Sequence, residues 1–295
     1  MDASGAIHPM ALELVPLQPH HVPELARICH GAFASLQDRH RVPRDIPDVA
    51  TAEMILSHVA GRSDYTGVVA LLDGRAVGSN FLLHADPVAG VGPITVDPEV
   101  QSRGIGRQLM AWVLEETERR GIRATRLFQE AINSTSLSLY TRLGFTWRGT
   151  AAAMQPVPAD ADDPSIRPLS AADLDGVRAL SEAACGFSRA GDAERLLAGG
   201  IPGFVRARQG RMVGYRIVSL FGHAAAETED DLLALIAHSA RHVPAHLAVF
   251  LCPLQHPGLF RRALEAGHRT LKQLSYMSHG EYAEPPGVYL PSIQC

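Results

Sequence analysis

The chain repeats one pattern of segments, and this repetition limits the folds it can adopt more than any other sequence feature. The stretches at 14–33 and 166–185 read LVPLQPHHVPELARICHGAF and IRPLSAADLDGVRALSEAAC, and both fit a short strand, a Pro-Leu exit and an amphipathic helix. Further on, GVVALLDGRAVGSNFLL resembles GFVRARQGRMVGYRIVSL, and each is typical of a hairpin. Both halves then predict a further strand, a helix, a strand and a helix. An internal duplication is the simplest explanation.

The length and composition agree with two globular copies. The chain has 295 residues, of which 46% are hydrophobic and 20% charged, as in ordinary globular proteins. Prolines, alanines and aspartates replace the periodic apolar residues in TAAAMQPVPADADDPS, at 150–165. We therefore predict one domain at 1–155, a linker at 156–164 and a second domain at 165–295.

Charge, hydropathy and cysteine usage restrict the partners and the compartment. The formal net charge of −4 gives no basic surplus for nucleic acid or an anionic membrane. No run of 18 uncharged apolar residues occurs, and the N-terminus MDASGAIHPMALELV lacks the features of an export signal. The four cysteines, Cys29, Cys185, Cys252 and Cys295, are far apart in sequence, which suits a reducing compartment. We expect a cytoplasmic protein of undetermined oligomeric state.

Two glycines, Gly104 and Gly106, stand where a strand-like run gives way to a helix, in VDPEVQSRGIGRQLM. Glycine within a helix costs up to about 1 kcal/mol relative to alanine, so the pair needs a reason. The first N–H groups of a helix have no partner within it, and the helix dipole adds positive charge there. Arg103 and Arg107 add donors that can bind an anion in a bidentate way. The turn is therefore a candidate pyrophosphate site.

The glycine turn matches neither of the two standard phosphate loops. Dinucleotide folds have a third glycine where this chain has Leu109, and the Gly-Lys-Ser/Thr of nucleotide-binding loops is absent. Taken alone, the turn fits a simple helix cap equally well.

A second motif, NSTSLSLYTRLGF at 133–145, follows one helix and one strand-like run later. With the glycine turn, it resembles the GNAT family of N-acetyltransferases over nearly all of residues 12–155. The first family signature, Gln/Arg-x-x-Gly-x-Gly/Ala, is matched by Gln101, Gly104 and Gly106. The second is an Asn before a helix with Leu-Tyr that ends in Leu-Gly-Phe, and its matches are Asn133, Leu139, Tyr140, Leu143, Gly144 and Phe145.

The resemblance implies a mixed α/β fold, α+β-like, in each copy: a mostly antiparallel sheet with a central, splayed parallel pair and flanking helices. It implies acetyl-CoA as co-substrate, with its pyrophosphate on the glycine turn and its pantetheine arm along the strand before it. A backbone N–H of that strand would face the thioester carbonyl. The implied cofactor-binding residues are Ile94, Thr95, Val96, Gln101, Ser102, Arg103, Gly104, Ile105, Gly106, Arg107 and Asn133.

Tyr140 falls on the position of the family's general acid. In direct transfer an amine attacks the thioester and a thiolate leaves. Thiols have a pKa of about 8.5 and phenols a pKa of about 10, so a tyrosine can protonate a thiolate across a modest difference in pKa. The alternative is that Tyr140 only packs in the core.

The sequence assigns no general base. Many members of the family have a glutamate on the strand before the phosphate loop, but VGPITV at 91–96 has no ionisable group. His84 and Glu130, near predicted strand ends, are candidates for the acceptor side, as is Asn80 in an apolar strand. Ordinary solvated or hydrogen-bonded roles stay open for all three.

Metal chemistry has little support in the sequence. His238 and His242 have a ligand-compatible helical spacing, but no Glu stands between them in the HExxH manner and no third ligand is evident. We expect no metal site. The loop RDIPD at 44–48 reads as a surface loop that in this family lies near the acceptor mouth.

The second copy resembles the same fold without its chemistry. Its loop reads AAAETEDDLLALIAH at 224–238, with no Gly-x-Gly and with acidic residues that repel a pyrophosphate. Aligning Gly267 with Gly144 places Ala263 at the position of Tyr140, and His256 replaces Asn133. The C-terminal GVYLPSIQC is expected to form a strand that ties the halves together.

The sequence therefore predicts an acetyltransferase whose N-terminal copy transfers acetyl directly from acetyl-CoA to an amine of a small molecule. Two alternatives stay open: a sensor or scaffold that binds acetyl-CoA without turnover, and an enzyme that binds a nucleotide on the glycine turn.

Overall fold

The strands and helices follow one order in both repeats. In the first repeat they are β1 (Leu12–Pro16), α1 (Val22–His40), α2 (Val49–Gly61), β2 (Tyr65–Leu72), β3 (Arg75–Leu83), β4 (Val88–Val91), β5 (Thr95–Val96), α3 (Ile105–Arg119), β6 (Ala124–Glu130), α4 (Ser134–Arg142) and β7 (Thr146–Gln155). In the second they are β8 (Ile166–Pro168), α5 (Leu174–Cys185), α6 (Ala190–Ala198), β9 (Gly203–Arg208), β10 (Arg211–Ile217), β11 (Ala224–Ala226), α7 (Glu229–His242), the short α8 (Ala245–Ala248), β12 (Phe250–Pro253), α9 (Pro257–Glu265), β13 (Arg269–Gly280) and β14 (Val288–Leu290). This order agrees with the predicted duplication.

The computed structural model describes residues 11–294, so the first ten residues of the N-terminal segment and Cys295 lie outside the described residues. The chain forms two compact units. One comprises the chain up to Leu83 together with Val91–Glu116, and the other comprises His84–Gly90 together with the chain from Thr117 onward. Among the described residues, no helix combines the length and apolar character that crossing a membrane requires.

The first unit is built on the hairpin of β2 and β3. The turn residues Asp73 and Gly74 have φ of 50° and 79°, a left-handed pair that suits a two-residue hairpin. β1 pairs antiparallel with β2, and β5 pairs antiparallel with β3. Helices α1 and α2 bury apolar side chains against this sheet, among them Leu25 and Leu56, which share a buried cluster with Phe81 of β3.

Strands of both repeats alternate in the second unit, in the order β4-β6-β13-β7-β12. β4 and β6 are parallel, as expected for the first repeat. β13 pairs antiparallel with β6 on one side and with β7 on the other, and β7 then pairs with β12. β7 of the first repeat therefore lies between two strands of the second, and β13 of the second lies between two strands of the first. This exchange explains why the compact units do not coincide with the repeats.

A second sheet in this unit has the order β14-β11-β10-β9-β8. β14 pairs antiparallel with β11, with Tyr289 opposite Ala225. The C-terminal strand therefore pairs within its own repeat, and the expectation that it ties the halves together is wrong; β13 has that role instead. Among the described strands, β11 has no parallel neighbour, so the splayed parallel pair expected in each copy is found only in the first.

Candidate active site

The glycine turn has the backbone of an anion-binding loop. Ser102 has φ of 68° and Gly104 has φ of 82°, and α3 begins at Ile105, directly after them. The Cβ of any other residue at position 104 would meet open space, so it is the positive φ that favours glycine there. The first free N–H groups of α3 therefore follow a turn that the sequence is built to form.

Charged side chains surround this turn at the surface. Arg103 and Arg107 are exposed, as are Ser102 and Gly104. Gln101 donates a hydrogen bond from Nε2 to the carbonyl oxygen of Val96, 3.1 Å away, which joins the turn to the end of β5. The residues present fit a diphosphate, because exposed backbone donors and two guanidinium groups lie within seven consecutive positions.

β5 offers an edge of the kind that an extended ligand can pair with. Among the described strands it pairs only with β3, with Thr95 opposite Ser79. Thr95 is 4% exposed, yet its Oγ1 has no hydrogen-bond partner. A buried hydroxyl without a partner is unusual, and a polar group of a pantetheine arm could supply one. Ile94, just before β5, is half-buried.

The second motif forms the short helix α4 in the other unit. Asn133 caps it, because its side-chain oxygen accepts a hydrogen bond from the Ser136 N–H at 3.0 Å. Tyr140 is 4% exposed, and its ring centroid lies 6.1 Å from that of Phe145. Burial raises the pKa of Tyr140 to about 12, against a smaller lowering by a hydrogen bond with Ser136. The phenol therefore stays protonated at neutral pH, with a larger mismatch to a thiolate than an ordinary phenol has.

The acceptor candidates have different surroundings. Asn80 is fully buried, and its amide nitrogen donates to the Leu109 carbonyl at 3.2 Å while its oxygen accepts from the Phe81 N–H at 2.9 Å. Asn80 is therefore a hydrogen-bonded strand residue, the second of the two roles that the sequence left open for it. Glu130 is buried and accepts a hydrogen bond from Lys272 of the second repeat. His84 is half-buried.

The predicted site residues divide between the two compact units. The residues of the turn and of β5 belong to the first, as does Asn80, whereas His84, Glu130, Asn133 and Tyr140 belong to the second.

His279 of β13, which lies beside the Leu-Gly-Phe motif, was not identified from the sequence. The His279 ring lies 5.4 Å from the ring of Phe145, and a Cβ at Gly144 would lie 3.3 Å from it. The second repeat therefore supplies a wall beside α4. Only the non-local pairing of β13 reveals this contact.

The histidine pair on α7 has a third neighbour that the sequence did not indicate. Potential ligand atoms of Asp162, His238 and His242 lie within 4.8 Å of one another. However, Asp162 Oδ1 already binds His242 Nε2 at 2.9 Å and Arg241 Nε at 3.2 Å. The cluster is an ion-pair network, and the guanidinium of Arg241 would repel a metal cation there.

The second repeat has counterparts of both motifs, but it lacks the glycine turn and the tyrosine of the first repeat. Its α7 begins after Thr228, whose side chain accepts from the Asp231 N–H, and three acidic residues occupy the first turn: Glu229, Asp230 and Asp231. At the other motif, the His268 N–H donates to Ala263 at 3.0 Å, as the Phe145 N–H donates to Tyr140 at 3.0 Å. Ala263 thus stands where the first repeat has Tyr140.

Comparison with known proteins agrees with this architecture. Residues 31–145 match the acetyltransferase (GNAT) family, a segment that includes the glycine turn and α4. The matched segment makes up most of the first repeat.

Individual relatives extend the comparison to the whole chain. A mycothiol acetyltransferase of Thermomonospora curvata is 39% identical over 75 residues, which are 25% of this chain and 25% of that protein. A crystal structure of a candidate acetyltransferase from Pyrococcus horikoshii covers 99% of this chain and 97% of its own, with a TM-score of 0.77 and 15% identity. A tandem GNAT protein from the clavulanic acid biosynthesis pathway covers 93% and 100%, with a TM-score of 0.55 and 16% identity. The fold is thus that of two GNAT domains in tandem.

Proposed function

We propose that the first repeat is an N-acetyltransferase domain that takes acetyl from acetyl-CoA and transfers it to an amine of a small molecule. The observation that carries this proposal is the start of α3: an exposed turn with positive φ at Ser102 and Gly104, flanked by Arg103 and Arg107. In the GNAT family such a turn receives the pyrophosphate of the cofactor. We assign the activity to the domain predicted at residues 1–155, which contains the family match at 31–145 and is followed by the linker predicted at 156–164.

The chain's own residues then have distinct roles. The N–H groups of residues 102–107 hold the diphosphate, and the free edge of β5 holds the extended arm through main-chain hydrogen bonds. Bound acetyl-CoA supplies an activated thioester. A main-chain N–H of the strand at 91–96 donates to the carbonyl oxygen as it gains charge. Asn133 contacts the arm, with its amide nitrogen available because the cap uses only the oxygen.

Tyr140 acts as the proton donor to the departing thiolate. Its raised pKa keeps the proton on the phenol until a stronger base is formed beside it. Since a free thiol titrates near about 8.5, transfer from Tyr140 is uphill unless the thiolate is desolvated as well. A buried site provides that condition, because desolvation raises the pKa of a thiol.

The acceptor is proposed at the level of its chemical class. The relative from Thermomonospora curvata is named a mycothiol acetyltransferase, and this name supports a small-molecule acceptor. For deprotonation of the amine, His84 and Glu130 stay candidates. Glu130 forms an ion pair with Lys272 of the second repeat, which also joins β6 to β13.

Calorimetry with acetyl-CoA, followed by a thiol-release assay against a panel of small amines, tests this proposal. We expect binding at one site and turnover with at least one amine. Tyr140→Phe should lower kcat by about tenfold to hundredfold and leave the affinity for acetyl-CoA unchanged. Tyr282→Phe, which removes a phenol outside the proposed site, should leave both unchanged. Binding without turnover on any amine would favour a sensor, and absence of binding would refute the proposal.

A further inference from the structure

Arg126, on β6, is a deeply buried arginine without a counter-ion. It is 5% exposed and lies opposite Gly90 of β4 and Ser278 of β13. Its Nε has no hydrogen-bond partner, and among residues 11–294 no carboxylate forms an ion pair with it. A buried charge without a partner is costly, so Arg126 needs an explanation.

The other two deeply buried arginines show how the fold normally compensates such a charge. Arg189 forms ion pairs with Asp86 at 3.3 Å and with Asp192 at 2.9 Å. Arg216 donates to the carbonyl oxygens of Ile236 and Ala248 and to a serine hydroxyl. Because the two carboxylates beside Arg189 are committed to it, neither compensates the charge of Arg126.

Aromatic faces hold the Arg126 guanidinium in place and leave its N–H edges available. Its Cζ lies 4.7 Å from the ring centroid of Phe187, 5.5 Å from that of Tyr282 and 6.0 Å from that of Tyr276. Stacking of this kind stabilises the cation through the ring faces. It does not use the five N–H donors, which point outward in the guanidinium plane.

Arg126 lines a cavity in the second unit, with about 310 Å³ of empty space that is partly open to solvent. Its wall also includes Phe187, His223, Tyr276 and Tyr289. His223 is buried, and its Nε2 has no hydrogen-bond partner while its Nδ1 lies 2.8 Å from the Tyr215 hydroxyl. The cavity therefore combines aromatic walls with two buried nitrogen atoms that make no hydrogen bond, Arg126 Nε and His223 Nε2, although the latter lies 3.9 Å from a carboxylate oxygen of Asp192. Apolar walls with a few polar groups are typical of small-molecule sites.

We propose that this cavity binds a small organic monocarboxylate, whose carboxylate pairs with the guanidinium of Arg126. A carboxylate is the anion of matching charge and shape, because its two oxygens accept two parallel N–H bonds from one guanidinium. The enclosed part of the cavity has room for little more than one water-sized group. The carboxylate head therefore enters it, and the body of the acid lies against the aromatic wall. A phosphate dianion would need more donors than one arginine offers.

The site differs from the proposed acetyl-CoA site, since none of its lining residues was assigned to the cofactor or to the transfer step. The test therefore uses the full chain without acetyl-CoA. Sodium acetate and sodium benzoate are titrated into it and followed by calorimetry, with benzamide as the uncharged ligand of the same shape as benzoate. We expect both carboxylates to bind, benzoate more tightly, and benzamide to bind at least about tenfold more weakly.

Two variants locate the binding. Arg126→Gln should weaken benzoate binding by at least about tenfold, because it removes the charge and the paired donors. Arg148→Gln is the matched control, since the Arg148 guanidinium also stacks on Tyr282, at 4.2 Å, but is not part of the cavity wall. It should leave the affinity within about twofold. If Arg126→Gln does not fold, Arg126→Lys keeps the charge, and the loss of paired geometry should still weaken benzoate binding.

The proposal is overturned if neither carboxylate binds the wild-type chain, if benzamide binds as tightly as benzoate, or if the Arg126 variants bind benzoate as the wild type does. Acetyl-CoA binding measured on the same samples separates this failure from a failure of the proposed function. A crystal soaked in benzoate should show both carboxylate oxygens within hydrogen-bond distance of the Arg126 guanidinium.

Discussion

The two repeats share a backbone but differ at the start of the helix that follows their central strand. In the first, positive φ at Ser102 and Gly104 exposes main-chain donors beside two arginines. In the second, the hydroxyl of Thr228 caps the helix and acidic residues fill its first turn. A helix dipole attracts anions at both places, but the second turn satisfies it with its own carboxylates. We therefore propose that the same fold provides an anion site in the first repeat and lacks one in the second because a few residues differ.

The neighbouring strands show the same contrast. β5 of the first repeat keeps one edge without a strand partner in the described chain, whereas β11 of the second repeat pairs with β14. The chain's own C-terminal strand therefore takes the edge along which an extended ligand would lie. The second repeat also supplies β13, which pairs with β6 and β7 of the first repeat, while β14 pairs with β11 within the second.

The largest expected effect concerns the first turn. Gly104→Val should weaken acetyl-CoA binding by about a hundredfold or more, because a β-branched residue disfavours the positive φ that aims the N–H groups. Gly74→Val is the matched control: it also has a positive φ and open space around its Cβ position, but it lies in the hairpin turn. It should lose comparable stability and keep its affinity. Equal losses of affinity in both variants would contradict this role of the turn.

The next effect concerns β14. Leu290 is 3% exposed, so Leu290→Ala should lower the free energy of unfolding by about 2–4 kcal/mol. Leu264 is 46% exposed, so Leu264→Ala should lower the free energy of unfolding by less than about 0.5 kcal/mol. Denaturant unfolding measures both. If β14 only closes the second cleft, Leu290→Ala should gain no second acetyl-CoA site; a gain would show that the acidic turn can bind the cofactor once the strand is loosened.

A smaller effect concerns the pH dependence of stability, to which His268 contributes in the second repeat alone. His268 stands where the first repeat has Phe145, and burial, with a contribution from Arg216, lowers its pKa to about 4. An unfolded histidine titrates near about 6.5, so below that pH the unfolded chain binds the additional proton and the folded chain does not. Stability from this group is complete above about 6.5 and is lost as the pH falls toward about 4.

His268→Phe should therefore reduce the loss of unfolding free energy between those two pH values, as measured by urea unfolding. The control is the same replacement at an exposed position, His246→Phe, followed by the same measurement. An unaltered pH profile in His268→Phe would mean that the pKa of His268 is the same in the folded and the unfolded chain.

The smallest effect compares the equivalent helices α1 and α5. A Cβ at Gly31 would meet nothing within 4 Å, so Gly31→Ala should stabilise the protein by about 0.5–1 kcal/mol through helix propensity. A Cβ at Gly176 would lie 2.6 Å from the Met212 sulfur, so the same change there should gain less, because Met212 must move. Thermal unfolding of the two variants gives the difference, and an equal gain would mean that Met212 moves without cost.

The sequence predicted what depends on local spacing. The hairpin at Asp73-Gly74 and the glycine turn before α3 follow from the residues themselves, since both are set by local φ preferences. The sequence did not reveal that β13 lies between β6 and β7 or that β14 pairs with β11, because strand partners far apart in sequence are chosen by packing. For the same reason it missed Arg126 and His279, whose surroundings come from both repeats.

A crystal structure of the full chain with coenzyme A tests the central claim most directly. The account predicts one coenzyme A per chain, with its diphosphate on the main-chain nitrogens of residues 102–107 and nothing at the start of α7. A diphosphate bound at Thr228–Asp231, or a chain that binds coenzyme A without contacting the turn at Gly104, would contradict it.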